Sequence, residues 1–557
     1  MSTHKNIDTI CISVLAVCIL ITILFMNGSA LGIKTIIDED TEMHSGTVSF
    51  TENDLNGSWD PSGAASISLN GNSAVISGNG AYWYNGNVII SGSGKYVLHG
   101  ELTDGSIIVD AHASSKVWLY FDSVAVTCSD DAALQIDQAD KVFLTLAEGS
   151  DNTLSSGAVY SAEALADRTG GTIYAHDDLT INGSGALTIS ASFQHGIDAN
   201  DELVITGGFI SINAVSDAIH ANEGVRMQGM ELAISAGDDG IHCDEGILIA
   251  GGTILISSCY EGIEGRTIDV TGGDITIYPS DDGFNANGGS DGFVFDFGSA
   301  PFGNPGDLGR PRTGGTFPDK KEMASAGTAG SAEDASKESW LHISGGTITI
   351  VNSTARDADG LDSNGDILIS GGTIRVSLAN SGTNSALDCG SENGGVMEIT
   401  GGDVIACGSY SMAEGFDASS TQCSILYNIS AGVKAGTPIM LEDADGNILL
   451  SYEVPCSFSS VVLSCPEMQP GETYLLMIGE KSEEIALDEV SASFGDAQSI
   501  MFGGKMNWSG MQDRGRSDGA RPGMSEKPGL PPDFGNDVPD KSSWLAPPDL
   551  PASQMEP

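Results

Sequence analysis

A four-residue phrase rich in carboxylates and imidazoles recurs along this chain at near-constant spacing. Its clearest copy reads Asp239-Gly-Ile-His242. Copies begin at His195, Asp217, Asp239, Glu261 and Asp282, spaced 22, 22, 22 and 21 residues apart, and resume at Asp359, Ser385 and Glu414. A fixed period of this length indicates a repeat architecture, in which each unit buries its apolar side only against its neighbours. Equivalent polar residues should therefore stack in rows along one side of a solenoid.

Alignment of the copies gives three rows. The first contains His195, Asp217, Asp239, Glu261, Asp282 and Asp359. The second contains Asp198, His220, His242, Glu264, Asn285, Asp362, Asp388 and Asp417. The third contains Asn200, Asn222, Asp244, Asn287 and Asn364, and further acids precede the phrase at Asp238, Asp281 and Asp357. The amides of the third row are typical of a structural ladder at a corner of the backbone.

The first two rows predict bound calcium. Equivalent residues of adjacent coils lie about 4.8 Å apart, where two carboxylates repel by about 3.5 kcal/mol at an effective dielectric near 20. A calcium ion with oxygen ligands at roughly 2.4 Å fits between them. The expected ligands are Asp217, Asp238, Asp239, His242, Asp244, Glu261, Glu264, Asp281, Asp282, Asn285, Asp359 and Asp362.

Two other interpretations of these rows stay open. Acidic turn residues that solvent keeps apart would need no ion. The histidines are poor calcium ligands, so His220 and His242 could stack, hydrogen-bond a carboxylate, or bind a transition metal together with Asp217 and Asp239.

The elements between the copies of the phrase are short strands. Each repeat contains a Gly-Gly pair followed by alternating apolar and polar residues, as in Gly251-Gly252-Thr-Ile-Leu-Ile256, and another short strand precedes the pair, as in Ile247-Leu-Ile249. Three short strands in one repeat leave no room for helices. The sequence therefore predicts an all-β chain that forms a right-handed parallel β-helix, a three-faced solenoid with a small C-terminal β cap or domain.

Composition divides the chain into five segments. We expect a signal peptide or N-terminal membrane anchor over 1–31, because 9–26 is apolar and uncharged. The spacer and N-terminal cap then cover 32–87, and the β-helix covers 88–420 with a low-complexity loop at 290–339. Residues 421–500 read as the C-terminal β cap or domain, and the Pro- and Gly-rich tail at 501–557 reads as disordered.

The net charge of −53 limits the partners of the chain. Such an acidic excess argues against nucleic acid and against anionic membrane surfaces, so membrane contact is expected only through the N-terminal segment. We expect an extracellular or cell-surface monomer. Its cysteines outside the leader read as small buried side chains, although Cys456 and Cys465 could bridge a hairpin.

The order of the motifs resembles a known family. Ser216-Asp-Ala-Ile-His-Ala-Asn222, Gly237-Asp-Asp-Gly-Ile-His242 and Tyr260-Glu-Gly-Ile-Glu264 are similar to successive coils of a clostridial family of carbohydrate-binding β-helix proteins. The likeness covers roughly 60 to 500. It implies a pectate-lyase-like β-helix, bound calcium, and affinity for cellulose or acidic plant polysaccharides.

The sequence favours a binding protein without catalytic residues. A lyase on this fold needs a cation-neutralised uronate and a Lys or Arg base, but Arg266 and Arg356 read as partners of neighbouring carboxylates. Sugar contacts are expected at Trp118, Tyr120 and His220, although the two strand aromatics could instead pack beneath the N-terminal cap. A calcium-dependent polysaccharide lyase of pectate-lyase type and a structural surface adhesin or spacer are the alternatives.

Overall fold

A computed structural model describes residues 50–58, 61–166, 169–286, 339–354, 358–391 and 394–496. The expected leader at 1–31, nearly all of the loop at 290–339 and the tail at 501–557 lie outside the described residues. The same holds for Asn287, Arg356 and Asp357.

Nearly all of the regular secondary structure in the described residues is β-strand. The first nineteen strands are β1 (Ala65–Gly71), β2 (Ala74–Ser77), β3 (Ala81–Tyr84), β4 (Asn87–Ile90), β5 (Gly94–Leu102), β6 (Ile107–Asp110), β7 (Lys116–Cys128), β8 (Leu134–Gln138), β9 (Lys141–Leu146), β10 (Asp151–Ser156), β11 (Gly171–Ala175), β12 (Leu179–Gly183), β13 (Ala186–Ala191), β14 (His195–Ala199), β15 (Glu202–Ile205), β16 (Phe209–Ala214), β17 (Ile219–Ala221), β18 (Gly224–Met227) and β19 (Glu231–Ser235). Two short helices are α1 (Glu52–Leu55) and α2 (Ala162–Ala166).

The remaining strands include two long ones that run through three sides of the solenoid. They are β20 (Ile241–Cys259), β21 (Ile263–Pro279), β22 (Phe284–Ala286), β23 (Trp340–Ile343), β24 (Thr347–Asn352), β25 (Leu361–Ser363), β26 (Asp366–Leu378), β27 (Leu387–Cys389), β28 (Met397–Gly408), β29 (Ser424–Val433), β30 (Thr437–Glu442), β31 (Ile448–Val454), β32 (Phe458–Ser464), β33 (Glu472–Ile478), β34 (Lys481–Leu487) and β35 (Ser491–Gly495). No helix among these described segments is long and apolar enough to cross a membrane.

Parallel pairing between successive coils produces three faces. Face A contains β10, β13, β16 and β19. Face B contains β11, β14, β17, β22, β25 and β27, and face C contains β9, β12, β15 and β18. Strands β20 and β21 contribute to all three faces. The predicted all-β solenoid of parallel strands is thus confirmed, while its right-handed winding stays a prediction.

Apolar residues of successive coils stack inside the solenoid because the strands alternate in and out. On face B this stack runs through Ile197, Ile219, Ile241, Ile263, Phe284, Leu361 and Leu387, all 0–1% exposed. The Gly-Gly corners turn the chain between strands, and Gly252 and Gly273 adopt φ of 98° and 106°, a left-handed conformation that glycine tolerates.

The repeated phrase requires glycine at its second position because adjacent coils approach each other closely there. A Cβ on Gly262 would lie 2.2 Å from the carbonyl oxygen of Gly283. We therefore expect Gly262→Ala to lower the free energy of unfolding by about 1–3 kcal/mol, as overpacking does. Gly251→Ala is the matched control, because a Cβ there would meet nothing within 4 Å. Equal denaturation midpoints for the two variants would contradict this prediction.

The N-terminal strap, residues 51–56, lies across the outside of face C. Its helix α1 begins at a capping box, in which Thr51 and Asp54 bond each other's backbone N–H groups. Asp54 is fully buried, accepts a 2.7 Å hydrogen bond from the Thr180 hydroxyl and forms a 3.0 Å ion pair with Lys141. The Asn182 amide donates to three carbonyl oxygens of the strap. Part of the predicted spacer is therefore docked on the solenoid.

Both ends of the solenoid differ from a regular coil. At the N-terminal end β1 already pairs in parallel with β5, so the winding sheet includes residues before 88. At the C-terminal end β28 pairs antiparallel with β32, and β31, β30, β33 and β34 form a separate four-stranded antiparallel sheet. A second apolar core joins this sheet to the last coil.

Cys456 and Cys465 are buried free thiols, as are the other six cysteines of the described segments, so the considered bridge is not formed.

Candidate functional site

The second row of the phrase forms a continuous ladder of polar side chains on face B, which we call the polar ladder. Its members pair in register in successive strands and are Asp198, His220, His242, Glu264, Asn285, Asp362 and Asp388. They point away from the apolar stack, yet Glu264 is 1% and His242 is 5% exposed. Asp417 does not extend the ladder, because its carboxylate accepts the backbone N–H of Met397 instead.

Carboxylates of the first row bind one coil to the next. One carboxylate oxygen in each of four residues accepts a backbone N–H of the following coil: Asp217 from Asp239, Asp239 from Glu261, Asp282 from Asp359, and Asp359 from Ser385, at 2.6–3.2 Å. Hydrogen bonds from backbone N–H groups stabilise an ionised carboxylate. These acids therefore have a structural role whether or not an ion is bound, which the sequence alone did not indicate.

The three histidines of the site stack and pair with acids. The ring centroids of His195 and His220 are 4.6 Å apart, and those of His220 and His242 are 5.2 Å apart. Each Nδ1 atom faces a carboxylate oxygen, at 2.9 Å for His195–Asp217, 3.2 Å for His220–Asp198 and 2.7 Å for His242–Glu264. Two of the three roles considered for the histidines, stacking and carboxylate pairing, are thus present together.

Charge and burial shift the pKa values at the histidine end of the ladder. Burial opposes the charged form of His242, but hydrogen bonds to Asp239, Asp244 and Glu264 outweigh it and raise the pKa of the imidazole. Burial likewise disfavours ionised Asp217, yet the hydrogen bond from His195 lowers the pKa of that carboxyl. The imidazoles therefore supply the positive charge that these buried acids require.

The next coils contain acids that no cationic side chain of the described residues balances as closely. Burial, with the charges of Glu264 and Asp239, raises the pKa of Glu261 to about 9. Burial, with the charges of Asp359 and Asp362, also raises the pKa of Asp282 to about 9. Protons hold these two groups neutral near neutral pH unless a cation replaces them.

Asn285 lies among these acids with an acceptor that has no hydrogen bond. Its Nδ2 donates to Glu261 Oε2 at 2.8 Å, whereas its buried Oδ1 has no hydrogen-bond partner among the described residues. The residue is 7% exposed. An unpaired buried carbonyl oxygen costs free energy, so this atom marks a position where a cation or another donor would be favourable.

Three groups of acids and histidines bring their ligand atoms within 4.8 Å of one another: Asp239, His242 and Glu264; Asp217, Asp238 and Asp239; and Asp359, Asp362 and Asp388. Asp388 was not among the expected ligands, although its place in the second row could have indicated it. Asp281 belongs to none of these groups and hydrogen-bonds Tyr260, which raises the pKa of that hydroxyl. Asp244 is exposed and approaches only the outer nitrogen of His242, at 3.4 Å.

The expected sugar contacts do not lie together. Trp118 and Tyr120 point outward from β7 on face C, where Trp118 stacks on Phe143 with ring centroids 5.4 Å apart. His220 lies on face B. The structure therefore does not unite these three residues in one site.

Three arginines of the described coils are engaged by neighbouring groups, as predicted for Arg266. Its Nε donates to Glu245 Oε2 at 3.0 Å. Arg226 pairs with Glu202, and Arg375 donates to the carbonyl oxygens of Ile374 and Asp403. None of these contacts leaves a guanidinium aimed at the polar ladder.

Comparisons with known proteins place the chain in a class. Residues 84–423 match the family of carbohydrate-binding domain-containing proteins, and the chain belongs to this family. A carbohydrate-binding domain-containing protein of Acetivibrio thermocellus is 38% identical over 128 residues, which are 23% of this chain and 45% of the relative. The chain thus matches less than half of that relative's length. The resemblance to clostridial carbohydrate-binding proteins is confirmed at this level.

One solved structure is also similar. It is described as the polysaccharide lyase-like protein from C. thermocellum in a gadolinium derivative, and it is 22% identical to this chain. The alignment covers 60% of this chain and 97% of the solved one, with a TM-score of 0.34.

Proposed function

We propose that this protein binds an extracellular polysaccharide of plant type, cellulose or an acidic pectin-like polymer, at face B, with calcium held in the polar ladder. Membership of a carbohydrate-binding family supports the ligand class. The unpaired Oδ1 of Asn285 carries the metal part of the proposal.

The residues around Asn285 fit calcium by their chemistry. Glu264 and Asp362 flank Asn285 in the ladder, and Glu261, Asp282 and Asp359 lie in the adjoining first row. Calcium takes six to eight oxygen ligands from carboxylates and amide carbonyls in flexible geometry. Asn285, Asp362, Glu261, Asp282 and Asp359, with Asp388 in the next coil, would hold calcium ions, and their buried acids could then ionise without protons.

The polar ladder makes the proposed site long as well as charged. Its seven residues span six coil-to-coil steps, or about 29 Å at the usual strand spacing. A chain of net charge −53 repels an acidic polymer. Bound calcium supplies the positive charge that attracts uronate carboxylates, and the ladder residues orient it along one line on face B.

Binding of polygalacturonate should therefore require calcium, whereas binding of a neutral glucan should change less on chelation. We expect Asp362→Asn and Asp388→Asn to weaken calcium-dependent binding of polygalacturonate by about tenfold or more, a loss of about 1.4 kcal/mol. Affinity electrophoresis with calcium or with excess chelator measures both effects. Asn222→Ala is the matched control, because this residue belongs to the amide ladder at the corner and hydrogen-bonds Asn200.

Two outcomes would contradict the proposal. Equal retention of the protein in chelator and in calcium would exclude ion bridging. Release of unsaturated oligosaccharides from polygalacturonate, lost in Arg266→Ala, would make the protein a lyase and not only a binder.

A further inference from the structure

The histidine end of the polar ladder differs in its donor chemistry from the end around Asn285. Asp239, His242 and Glu264 form a compact group whose members are 5%, 5% and 1% exposed. We infer that these three residues form a separate site for a transition-metal ion such as Zn²⁺ or Co²⁺, distinct from the calcium positions of the same ladder.

The distances suit ligands that share one ion. His242 Nδ1 lies 2.7 Å from Glu264 Oε2 and 3.4 Å from Asp239 Oδ2. Zinc binds imidazole nitrogen and carboxylate oxygen at about 2.0–2.2 Å, so donor atoms about 3 Å apart surround it without large movement. The parallel strands fix this geometry, because β20 and β21 hold His242 and Glu264 directly opposite each other.

The second nitrogen of His242 has the partner that a metal-bound imidazole needs. Its Nε2 lies 3.4 Å from Asp244 Oδ1, outside the three-residue group. A carboxylate at this position fixes the tautomer and orients the ring, leaving the other nitrogen for the metal. The ring plane is further fixed by His220, which stacks on it with an interplanar angle of 9°.

Ligand type separates the two ends of the ladder. Imidazole suits zinc, cobalt and nickel, whereas calcium prefers oxygen donors alone. The unpaired Oδ1 of Asn285 lies in the coil after Glu264, among oxygen donors, and belongs to the calcium end of the ladder. An ion bound at His242 would leave the oxygen-rich coils beyond it to calcium.

Cobalt titration of the full chain in millimolar calcium tests the inference. We expect one equivalent of Co²⁺ to bind with a visible absorption band, and His242→Gln to abolish that band while the bound calcium is unchanged. His342→Gln is the matched control, because His342 lies on β23 outside the polar ladder and pairs with Asp269. The band should persist in that variant.

Asp244→Asn is a second test that does not alter a buried ligand. Loss of an outer partner of a ligating histidine lowers metal affinity by about 10–100-fold, and Zn²⁺ competition against Co²⁺ measures this. Displacement of cobalt by calcium would overturn the inference, as would a band that survives in His242→Gln or disappears equally in His342→Gln. No polysaccharide enters these measurements, so they fail or succeed independently of the proposed function.

Discussion

Calcium should raise the melting temperature of this protein far more at pH 9 than at pH 5. Glu261 and Asp282 have pKa values of about 9, and Glu264 has one of about 7, chiefly because burial disfavours their charged forms. In the unfolded chain such acids ionise near pH 4. Between these limits the folded state binds more protons than the unfolded state, so the stability of the calcium-free protein falls as pH rises through this window.

Calcium reverses this loss because it replaces the protons. At pH 5 the ion must displace them and binds weakly, whereas at pH 9 the acids ionise readily in its presence. A ligand at 1,000 times its Kd contributes about 4 kcal/mol of stability for each independent site. Thermal melting with calcium or with excess chelator, from pH 5 to pH 9, measures the difference.

Matched variants assign the effect to the buried acids. Glu261→Gln combined with Asp282→Asn should flatten the pH dependence of the calcium-free protein and reduce the calcium shift at pH 9. Asp274→Asn, at an exposed acid of β21 on face A, should leave both unchanged. A calcium shift of equal size at pH 5 and pH 9 in the unaltered protein would contradict the prediction.

Asp54→Ala should cost about 3–5 kcal/mol of unfolding free energy, because it leaves the buried charge of Lys141 without its nearest partner. The Lys141 side chain is 9% exposed and that of Asp54 is 0% exposed. Asp178 and Glu202 lie 3.9 and 4.0 Å from the same ammonium group, which favours the lower part of this range. Denaturant unfolding followed by far-ultraviolet circular dichroism measures the loss.

The ion pair at Lys116 and Asp140 provides the comparison. Its atoms are 3.1 Å apart, but both side chains are nearly half exposed, so Asp140→Ala should cost less than about 1 kcal/mol. The double variant Asp54→Ala, Lys141→Met should recover part of the loss, since no buried charge remains. Equal costs for Asp54→Ala and Asp140→Ala would show that the strap contributes little.

Acid should weaken the strap for the same reason. Burial of Asp54 favours the neutral form, but hydrogen bonds from Thr180 and Thr51 and the contact with Lys141 lower its pKa to about 2. A lowered pKa stabilises the fold above the unfolded pKa near 4, and this contribution disappears as pH falls towards 2.

The register of the polar ladder could be predicted because the period of the phrase equals one coil. His220, His242 and Glu264 share one position in three successive repeats, and the structure pairs them in successive strands. The direction of each side chain could not be predicted in this way. Asp239 uses one oxygen for a backbone N–H of the next coil and places the other 3.4 Å from His242, a division that residue type does not encode.

The sequence did not predict which face carries each residue, nor which residues distant in sequence make contact. Trp118 and Tyr120 lie on face C and His220 lies on face B, because they occupy different positions within their coils. The sequence did not predict the docked strap for a related reason. Helix α1 has four residues and no apolar period, and its main contact joins Asp54 to Thr180 across 126 positions of sequence.

The docking position of the strap determines where mechanical load enters the solenoid. Hydrogen bonds join Asp54 of the strap to Thr180 and Asn182 of β12 and to Thr206 after β15. The chain itself continues from the strap to β1 in the first coil. Tension applied ahead of the strap therefore passes to β9, β12 and β15 and bypasses the strands from β1 to β8. The first coils would begin to unwind under force only after the contacts of the strap with Lys141, β12 and Thr206 had ruptured.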